Sequence, residues 1–322
     1  MRVKIPYITT KGMSREEWLE KRREGIGGSD APGIMGESRW SSPLSVYADK
    51  RGLRPDREMT EPMRQGVDLE EVVARRFSEA TNLKVRRVNR MYRHPEHTFM
   101  LANIDRQVLG VAGFEGLECK TTSLFNPADF ALGEIPPVYY WQCMHYMAVT
   151  GAQRWHLAVL VLSKAFHHFV IPRDEAAVSK LIAAERAFWF DHVLAGVPPR
   201  PSGVDADEDT LRSIPAPEPL SGGGPADLSD ILPDLDALDG LKARKSDLDR
   251  QIRASEQLIR LRIGASEEAV AGPWRISFRL QPHSSLDSAA LKADHPDLYR
   301  RYTKSTPRRV LRIRNEWGKG EG

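Results

Sequence analysis

Asn103-Ile-Asp105 and Phe114-Glu-Gly-Leu-Glu-Cys-Lys120 are the two stretches that decide the fold of this 322-residue chain. Side chains alternate between the two faces of a β-strand, so a strand through the second stretch places Glu118 and Lys120 on one side. Asp105 is expected to reach them from the neighbouring strand. Two carboxylates beside an ammonium group suit Mg²⁺, which binds one or two carboxylates together with water and substrate phosphates. The pattern therefore predicts a metal site whose chemistry is phosphodiester hydrolysis.

A third acid distinguishes this metal site from an ordinary exposed ion pair on a strand. The helix predicted to follow Gly66 has an apolar stripe at helical spacing, formed by Leu69, Val73, Phe77 and Ala80. At about 100° per residue, Glu70 lies on the flank of this stripe and Glu71 lies nearly opposite. A glutamate that faces inward is costly unless a cation or hydrogen bonds receive it. Glu70 is therefore predicted to face the metal site and Glu71 to face solvent.

The glycine-rich segment Arg23-Glu-Gly-Ile-Gly-Gly-Ser-Asp30 predicts a phosphate site. A turn that places Ser29 or Asp30 at a helix N-terminus exposes backbone N–H groups, which bind phosphate. An ordinary helix cap has the same composition. Arg23 favours the phosphate site, because an arginine can bind a terminal phosphate through two hydrogen bonds.

Two polar residues lie on an apolar helix predicted over residues 137–150. Gln142 in such a helix is usually a core or boundary residue, and His145 has no metal partner at a recognisable spacing, so we interpret His145 as structural. Cys119 and Cys143 are the two cysteines of the chain, and both are predicted to be buried thiols. Two cysteines exclude a four-cysteine zinc or iron–sulfur site.

In their order along the chain, these segments resemble the YqaJ-like viral recombinase nucleases, relatives of bacteriophage lambda exonuclease within the PD-(D/E)xK superfamily. The resemblance covers residues 14–195 and rests on five blocks: Arg23–Asp30, Gly66-x-x-x-Glu70, Asp105, Glu118-Cys-Lys120 and Tyr140–Thr150. One departure is that Ile104 replaces the proline of the superfamily motif. The resemblance implies an α/β fold, a mixed sheet flanked by helices, with a restriction-endonuclease-like core and a helical plus β-hairpin C-terminal extension.

The resemblance also implies roles for individual residues. The metal ligands are three acids and one backbone carbonyl: Glu70, Asp105, Glu118 and the carbonyl of Cys119. They would hold two Mg²⁺ ions, for which Mn²⁺ can substitute, and Lys120 would orient the attacking water. Arg23 and Ser29 would hold the 5′-phosphate of a DNA end. Gln142 would support Lys120 or the scissile phosphate.

The function implied by the resemblance is that of a Mg²⁺-dependent 5′→3′ double-strand DNA exonuclease, which resects ends to 3′ single strands by two-metal hydrolysis. Its implied partners are double-stranded DNA ends, a single-strand annealing protein and, in a toroidal homotrimer, copies of itself. Two alternatives stay open. A PD-(D/E)xK endonuclease or repair nuclease would share the chemistry without needing an end. A catalytically idle DNA-end-binding module would bind without cutting, and the three acids with Lys120 argue against it.

Charge is distributed unevenly along the chain, although the formal net charge is only +3. Residues 203–240 contain ten acids and one arginine, whereas residues 273–320 contain eleven lysines or arginines and four acids. Such segregation indicates that the basic tail meets DNA. Arg312 and Arg314 share one face of a strand predicted over residues 309–314, where they could line DNA phosphates. A solvated strand face would have the same pattern.

The predicted organisation has three parts: a nuclease core over residues 1–200, an acidic Pro/Gly-rich linker over 201–227, and a C-terminal region over 228–322. The core is predicted as helices and strands interleaved around one sheet. Its helices are expected near residues 14–23, 43–51, 66–81, 137–150 and 174–195, and its strands near 84–92, 99–109, 112–121, 155–163 and 167–172.

The C-terminal region is predicted to contain a long amphipathic helix and a basic strand-helix-strand. The helix is expected to fold back on its own domain, because Lys245 and Ser255 interrupt a coiled-coil seam. A strand over 274–280 is expected to pair with the strand over 309–314, with a helix around 287–302 between them.

The sequence has no apolar run that approaches the roughly 18 residues needed to cross a bilayer. Residues Met1–Tyr7 do not have the apolar composition of a secretion signal. We therefore expect no membrane association and a cytoplasmic location, in the host cell if the gene belongs to a phage.

Overall fold

The computed structural model describes residues 5–56, 59–122, 133–214, 227–304 and 310–314. The chain separates into two compact units, Met1–Pro219 and Leu220–Gly322. Within the described residues, both large clusters of buried apolar side chains belong to the first unit. No helix among the described residues is both long and apolar enough to span a membrane.

The first unit contains a five-stranded sheet and a four-stranded sheet with helices packed around them. Its strands are, in chain order, β1 (Tyr7–Thr9), β2 (Ile26–Gly27), β3 (Lys84–Arg87), β4 (Arg90–Arg93), β5 (Met100–Asn103), β6 (Arg106–Leu109), β7 (Gly116–Thr122), β8 (Arg154–Val161) and β9 (Ala165–Pro172). Its helices are α1 (Arg15–Arg23), α2 (Ala31–Ile34), α3 (Pro43–Lys50), α4 (Glu61–Thr81), α5 (Pro137–Thr150), α6 (Glu175–Ala187), which continues as a π-helical segment (Phe188–Leu194), and α7 (Asp205–Ser213). The predicted fold class, a mixed α/β sheet flanked by helices, is confirmed.

The five-stranded sheet has the order β3-β6-β7-β8-β9, and β7 pairs with β8 in parallel while the other neighbours are antiparallel. The four-stranded sheet has the order β1-β4-β5-β2. The prediction of a single sheet is therefore wrong. Each of the two segments predicted as a continuous strand is divided between the sheets. Residues 84–92 contribute β3 to the five-stranded sheet and β4 to the four-stranded sheet. Residues 99–109 contribute β5 to the four-stranded sheet, which the chain leaves after Asn103, and β6 to the five-stranded sheet, which it enters at Arg106. Asp105 lies at this crossing, outside both ladders.

Helix α4 packs on one face of the five-stranded sheet. Val73, Ala74 and Phe77 are buried against Leu117 of β7, and burial of the Phe77 ring alone contributes about 2–3 kcal/mol. The helix begins at Glu61, earlier than predicted, because Pro62 occupies its first turn, where a missing N–H costs nothing. Since Leu117 faces α4, the next residue, Glu118, faces the opposite side of the sheet.

Helix α5 packs on that opposite side and is buried along almost its whole length. Residues 141–150 are all buried, and the helix joins the apolar cluster that contains Leu157 and Val159 of β8. It ends at Gly151, whose positive φ of 68° suits glycine. The predicted helix over 137–150 is confirmed, and the sheet carrying Glu118 is enclosed by α4 on one face and by α5 on the other.

The structure corrects the predicted start of the linker at residue 201. Helix α7 packs on α3, and Asp207 accepts hydrogen bonds from the side chain of Ser42 and from the backbone of Ser202, the latter at 2.6 Å. Arg54 donates to the hydroxyl of Thr210 at 3.2 Å. Asp207, one of the acids of the predicted acidic linker, is a buried acceptor. Residues 201–214 therefore belong to the first unit, and residues 215–226 lie outside the described residues.

The second unit contains the predicted long helix, α8 (Leu232–Ile263), preceded by a 3₁₀ turn over Ser229–Ile231. Strands β10 (Glu268–Ala271) and β11 (Trp274–Ser277) form a hairpin. The predicted pairing of residues 274–280 with 309–314 is wrong, because β11 pairs with β10 across a two-residue turn and the described residues 310–314 form no strand. Closing a turn of two residues costs less chain entropy than closing a loop of about thirty.

The helix predicted around residues 287–302 is divided into α9 (Ser288–Asp294) and α10 (Pro296–Tyr302). The division falls at Pro296, which lacks the N–H that would continue α9 and which disfavours a helical conformation at His295.

A chain that ends at Pro219 should keep the cooperative unfolding of the first unit, because the buried clusters of the described residues lie before that point. We expect its thermal midpoint to fall by no more than about 2–4 °C, equivalent to roughly 1 kcal/mol for a unit of this size. Circular dichroism melts would measure it. As a control, a chain that ends at Pro201 loses α7 and should melt at a clearly lower temperature. Aggregation of the 1–219 chain alone would contradict the division into units.

Candidate active site

The five-stranded sheet places Glu118 and Lys120 on the face covered by α5. Glu118 Oε1 lies 2.6 Å from Lys120 Nζ and accepts a hydrogen bond of 2.6 Å from Gln142 Nε2. The two strand residues therefore share a face as predicted, and Gln142 joins them from the helix.

Asp105 approaches the same point from the crossing between β5 and β6. Its Oδ2 accepts the backbone N–H of Cys119 at 2.8 Å, which fixes the carboxylate beside β7. Burial, and then the nearby carboxylates of Glu118 and Glu70, raise the pKa of Asp105 well above its usual range despite the opposing charge of Lys120. A cation placed between these carboxylates would relieve the repulsion.

A second observation supports a cation at this point. Glu118 Oε2 is buried and has no hydrogen-bond partner, whereas buried carboxylate oxygens normally have one. Together with Asp105 it offers the hard oxygen donors that suit Mg²⁺, which keeps several water ligands and needs only one or two carboxylates. Among the described residues no group of three or more His, Cys, Asp or Glu side chains is arranged to hold a metal ion, so the structure does not bring Glu70, Asp105 and Glu118 together as a three-ligand site.

Glu70 has the predicted orientation, but it has a partner that the sequence analysis did not identify. The side chain of Glu70 is 20% exposed and that of Glu71 is 80% exposed, so the predicted phase of α4 is confirmed. Both carboxylates bind the buried guanidinium of Arg106, and Arg106 Nη1 also donates to the carbonyl of Asp105 at 2.8 Å. Arg106 thus ties Glu70 to the main chain at Asp105. The sequence signal for this role of Arg106 is its position directly after Asp105.

Lys120 is charged in this environment. Burial lowers the pKa of Lys120, but the carboxylates of Glu118 and Asp105 outweigh it and raise the pKa above the ordinary lysine value. Its Nζ also lies 5.4 Å from the centre of the Tyr139 ring. Lys120 can therefore donate hydrogen bonds and stabilise negative charge, and it is a poor acceptor of a proton.

A cavity of about 550 Å³ joins these carboxylates to the N-terminal segment of the first unit. Five cationic and six acidic side chains line it: Arg15, Arg22, Arg23, Lys50 and Lys120, and Asp30, Asp49, Asp56, Glu70, Asp105 and Glu118. The carboxylates of Asp105 and Glu118 and a group of cations thus line one cavity.

At the N-terminal segment, the structure places Arg22 beside Ser29, where Arg23 was predicted. Arg22 Nη2 donates to Ser29 Oγ at 2.7 Å, whereas Arg23 Nη2 binds Asp56. Both arginines lie on α1, and one residue along a helix turns the side chain by about 100°. Arg22, and not Arg23, therefore contacts Ser29, and phosphate binding by Arg23 stays a prediction.

Asp30 organises the cations of this segment. Its two carboxylate oxygens bind Arg22 at 3.1 Å and Lys50 at 2.6 Å, and Oδ2 also accepts the N–H of Gly27. Burial would raise the pKa of Asp30, but the charges of Lys50 and Arg22 lower it below its usual range. The predicted helix N-terminus contributes little to the positive charge of this segment, because α2 has only four residues and the Asp30 side chain makes no capping hydrogen bond. The positive charge comes from side chains, and Lys50 was not predicted.

The remaining predicted residues have the following positions. His145 is buried, with Nδ1 2.7 Å from Glu185 Oε1 and Nε2 2.9 Å from the carbonyl of Leu101, which supports its structural interpretation. Cys143 is buried and Cys119 is half-buried. Metal binding by the Cys119 carbonyl stays a prediction.

Arg312 and Arg314 are exposed residues of the second unit and do not lie on a strand, so the shared strand face that motivated their assignment is absent. Their contact with DNA stays a prediction.

Comparison with known proteins gives matches of three kinds. Residues 17–153 match the YqaJ-like viral recombinase domain. The protein YqaJ of Bacillus subtilis (strain 168) is 34% identical over 298 residues, which is 91% of this chain and 92% of the relative. The alkaline exonuclease LHK-Exo from Laribacter hongkongensis aligns with 56% of this chain and 94% of its own, at 21% identity and a TM-score of 0.47. A phage-related exonuclease from Haemophilus somnus 129PT aligns with 53% of this chain and 96% of its own, at 13% identity and a TM-score of 0.41.

Replacing Asp105 by Asn should stabilise the metal-free protein at alkaline pH. A carboxyl group whose folded-state pKa is raised contributes stability that is present at low pH and lost as the pH rises through that pKa. Asp105→Asn has no such charge and still accepts the Cys119 N–H. In the presence of a chelator, we expect the free energy of unfolding to rise by on the order of 1 kcal/mol at alkaline pH, since one pKa unit corresponds to about 1.4 kcal/mol. The gain should shrink as the pH falls, and denaturant melts would measure it.

The matched control for this prediction is Asp207→Asn. Hydrogen bonds from Ser42 and Ser202 outweigh burial and lower the pKa of Asp207, so the same substitution there should destabilise the protein at alkaline pH. A loss of stability in Asp105→Asn would mean that the two site carboxylates do not repel each other.

Proposed function

The chain belongs to the YqaJ-like viral recombinase family, and from that membership we propose that it is a metal-dependent DNA exonuclease that acts at double-stranded ends. One observation carries the proposal: Glu118, whose buried Oε2 has no hydrogen-bond partner, lines the cavity that Asp105, Arg22 and Lys50 also line. The carboxylates suit a divalent ion, and the cations suit a terminal phosphate at the other end of the same space.

The proposed direction is 5′→3′, by analogy with the lambda-type family. Hydrolysis breaks the bond between phosphorus and the 3′-oxygen of the terminal nucleotide. A water oxygen bonds to phosphorus, and the leaving oxygen takes up a proton. Each cycle releases a mononucleotide and leaves a new 5′-phosphate on the shortened strand. Repeated cycles would leave a 3′ single strand.

The metal would be held by Asp105 and Glu118, with Glu70 and the Cys119 carbonyl as further ligands. When bound, one or two Mg²⁺ ions would lower the pKa of the attacking water and neutralise charge on the phosphate. Lys120 is charged, so it would orient the water and stabilise the phosphate through hydrogen bonds. Gln142 holds Glu118 Oε1 and would keep that carboxylate in place while its other oxygen binds the ion.

The terminal phosphate would be bound by Arg22 and Ser29, with Lys50 adding positive charge. Arg22 and Ser29 are already in contact, and Asp30 holds the two cations in place, so the pocket is largely preorganised. Arg23, the residue predicted from sequence, lines the same cavity but binds Asp56. We therefore assign the principal phosphate contact to Arg22.

A trimeric ring and a single-strand annealing partner belong to the same proposal, because they come from the family resemblance. Light scattering of the purified chain would give the oligomer number. Co-purification with an annealing protein encoded beside it would test the partner.

The catalytic assignment predicts that Asp105→Ala, Glu118→Ala and Lys120→Ala each reduce magnesium-dependent cleavage by at least about a thousandfold while DNA binding is largely kept. End-labelled linear duplex, resolved on gels, measures both the rate and the direction. A covalently closed circle separates an exonuclease from an endonuclease, because only an endonuclease cuts it. Wild-type turnover by any of the three variants would overturn the assignment.

Glu70→Gln and Glu71→Gln form a matched pair, because both carboxylates bind Arg106 but only Glu70 lines the cavity. Glu70→Gln should strongly reduce cleavage. Glu71→Gln should change it by less than about twofold, since it loses only an exposed ion pair. Equal losses would show that the role of Glu70 is to hold Arg106.

The phosphate pocket predicts that Arg22→Gln removes the preference for 5′-phosphorylated over 5′-hydroxyl ends, because it loses the contact beside Ser29. Arg23→Gln is the matched control and should keep the preference. Competition between the two labelled duplexes measures it directly. If Arg23→Gln alone removed the preference, the original assignment from sequence would be restored.

A further inference from the structure

Tyr146 lies between the glycine turn of the phosphate pocket and the carboxylate Glu118. Its hydroxyl oxygen accepts a hydrogen bond of 2.8 Å from Gln142 Nε2, the same nitrogen that donates to Glu118 Oε1 at 2.6 Å. Tyr146 and Gln142 are four residues apart on α5 and therefore share a face. The two N–H groups of the Gln142 amide are thus both used, one for Glu118 and one for Tyr146.

This pair of hydrogen bonds fixes the orientation of the Gln142 amide. If the amide turned over, its carbonyl oxygen would face Glu118 Oε1, and two acceptors would repel each other. The Glu118 carboxylate, which can only accept, sets the orientation of the amide, and the hydrogen bond to the Tyr146 hydroxyl holds the same nitrogen from a second side. Gln142 is buried, so an unpaired N–H there is costly. Tyr146 therefore helps to keep the hydrogen bond that positions Glu118.

The other side of Tyr146 is pressed against Gly28. A Cβ atom built on Gly28 would lie 2.5 Å from Cε1 and 2.7 Å from Cζ of the ring, so the ring occupies the space a side chain would need. Gly28 has no positive φ, so its need for glycine comes from this contact. The next residue along the turn is Ser29, which accepts the hydrogen bond from Arg22.

The ring has little room to move independently of the turn. It is buried, and it packs against Trp155 with ring centres 5.2 Å apart. Burial and the nearby carboxylates of Glu118 and Asp105 raise the pKa of its hydroxyl well above the usual range, so the phenol stays neutral. A shift of the turn at Gly28 would therefore reach the Tyr146 hydroxyl and, through it, Gln142.

We propose that Tyr146 is a positioning residue that couples the occupied phosphate pocket to the placement of Glu118, through Gly28 on one side and Gln142 on the other. The inference rests on the proposed function, and it adds a regulatory step to it. A terminal 5′-phosphate then does more than hold the DNA: it raises kcat by settling the metal-binding carboxylate. Each new 5′-phosphate left by hydrolysis prepares the site for the next cycle.

The test uses the full chain and compares Tyr146→Phe with wild type on linear duplexes that carry a 5′-phosphate or a 5′-hydroxyl. Phenylalanine keeps the ring against Gly28 and removes only the hydroxyl. We expect kcat on the phosphorylated end to fall about tenfold, the effect of losing about one hydrogen bond at the site, with KM nearly unchanged. The rate on the 5′-hydroxyl end should fall by a clearly smaller factor, so most of the stimulation by phosphate is lost.

Three further substitutions sharpen the test. Gly28→Ala displaces the ring from the other side and should remove the stimulation in the same way. In the Ser29→Ala background, Tyr146→Phe should have little additional effect on kcat, because both act through one route and their effects are not additive. Tyr140→Phe is the matched control: it removes a hydroxyl from the same helix that contacts Asp174, and it should leave the stimulation intact.

The outcomes are distinguishable. If wild type shows no metal-dependent cleavage, or does not distinguish the two ends, the proposed function fails and the coupling fails with it. If wild type distinguishes the ends and Tyr146→Phe keeps the same ratio of kcat values, only the coupling is overturned. An equal loss on both ends, or fully additive effects with Ser29→Ala, would also overturn it, because Tyr146 would then have only a structural role.

Discussion

The first unit is built around two carboxylates that lie near each other, the half-buried Asp105 and the buried Glu118. Like charges repel strongly where water is excluded, so the fold must hold them by other contacts. Asp105 is held by the backbone N–H of Cys119, and Glu118 by Lys120 and Gln142. The apolar clusters on the two faces of the sheet supply the stability that permits this arrangement. Functional sites commonly store such unfavourable contacts, because the ligand later relieves them.

The cations of the cavity also repel each other and are also held in place by other contacts. Asp30 lies between Arg22 and Lys50 and prevents the two cations from repelling each other before a ligand arrives. It also cancels part of their attraction for phosphate. The proposed exonuclease would release and rebind the end at every step, and moderate affinity would suit that cycle better than very tight binding. Tyr146 packs against Gly28, next to Ser29, on one side and accepts from Gln142, which holds Glu118, on the other, so a chain of contacts joins the two charged groups.

Some features were predictable because they depend on local periodicity. The two-residue period of a strand placed Glu118 and Lys120 on one face, and the helical period separated Glu70 from Glu71. The boundaries of α5 follow from prolines before it and a glycine after it. Features that depend on distant partners were predicted poorly. A single sheet was expected, and residues 201–214 were assigned to a linker. Composition does not reveal that Asp207 finds Ser42, about 165 residues earlier.

Which segments meet at the site, and which of their faces carry charge, can be predicted from the residues alone, because strand and helix periods are properties of the local chain and the order of motifs marks the family. The pairing within the site depends on the folded chain: Arg22 rather than Arg23 lies beside Ser29, Arg106 lies between Glu70 and Glu71, and Tyr146 lies between Gly28 and Gln142. Each of these contacts depends on how whole elements pack against one another. A shift of one residue along a helix moves a side chain by more than the length of a hydrogen bond. The passage of the chain from one sheet to another has the same effect.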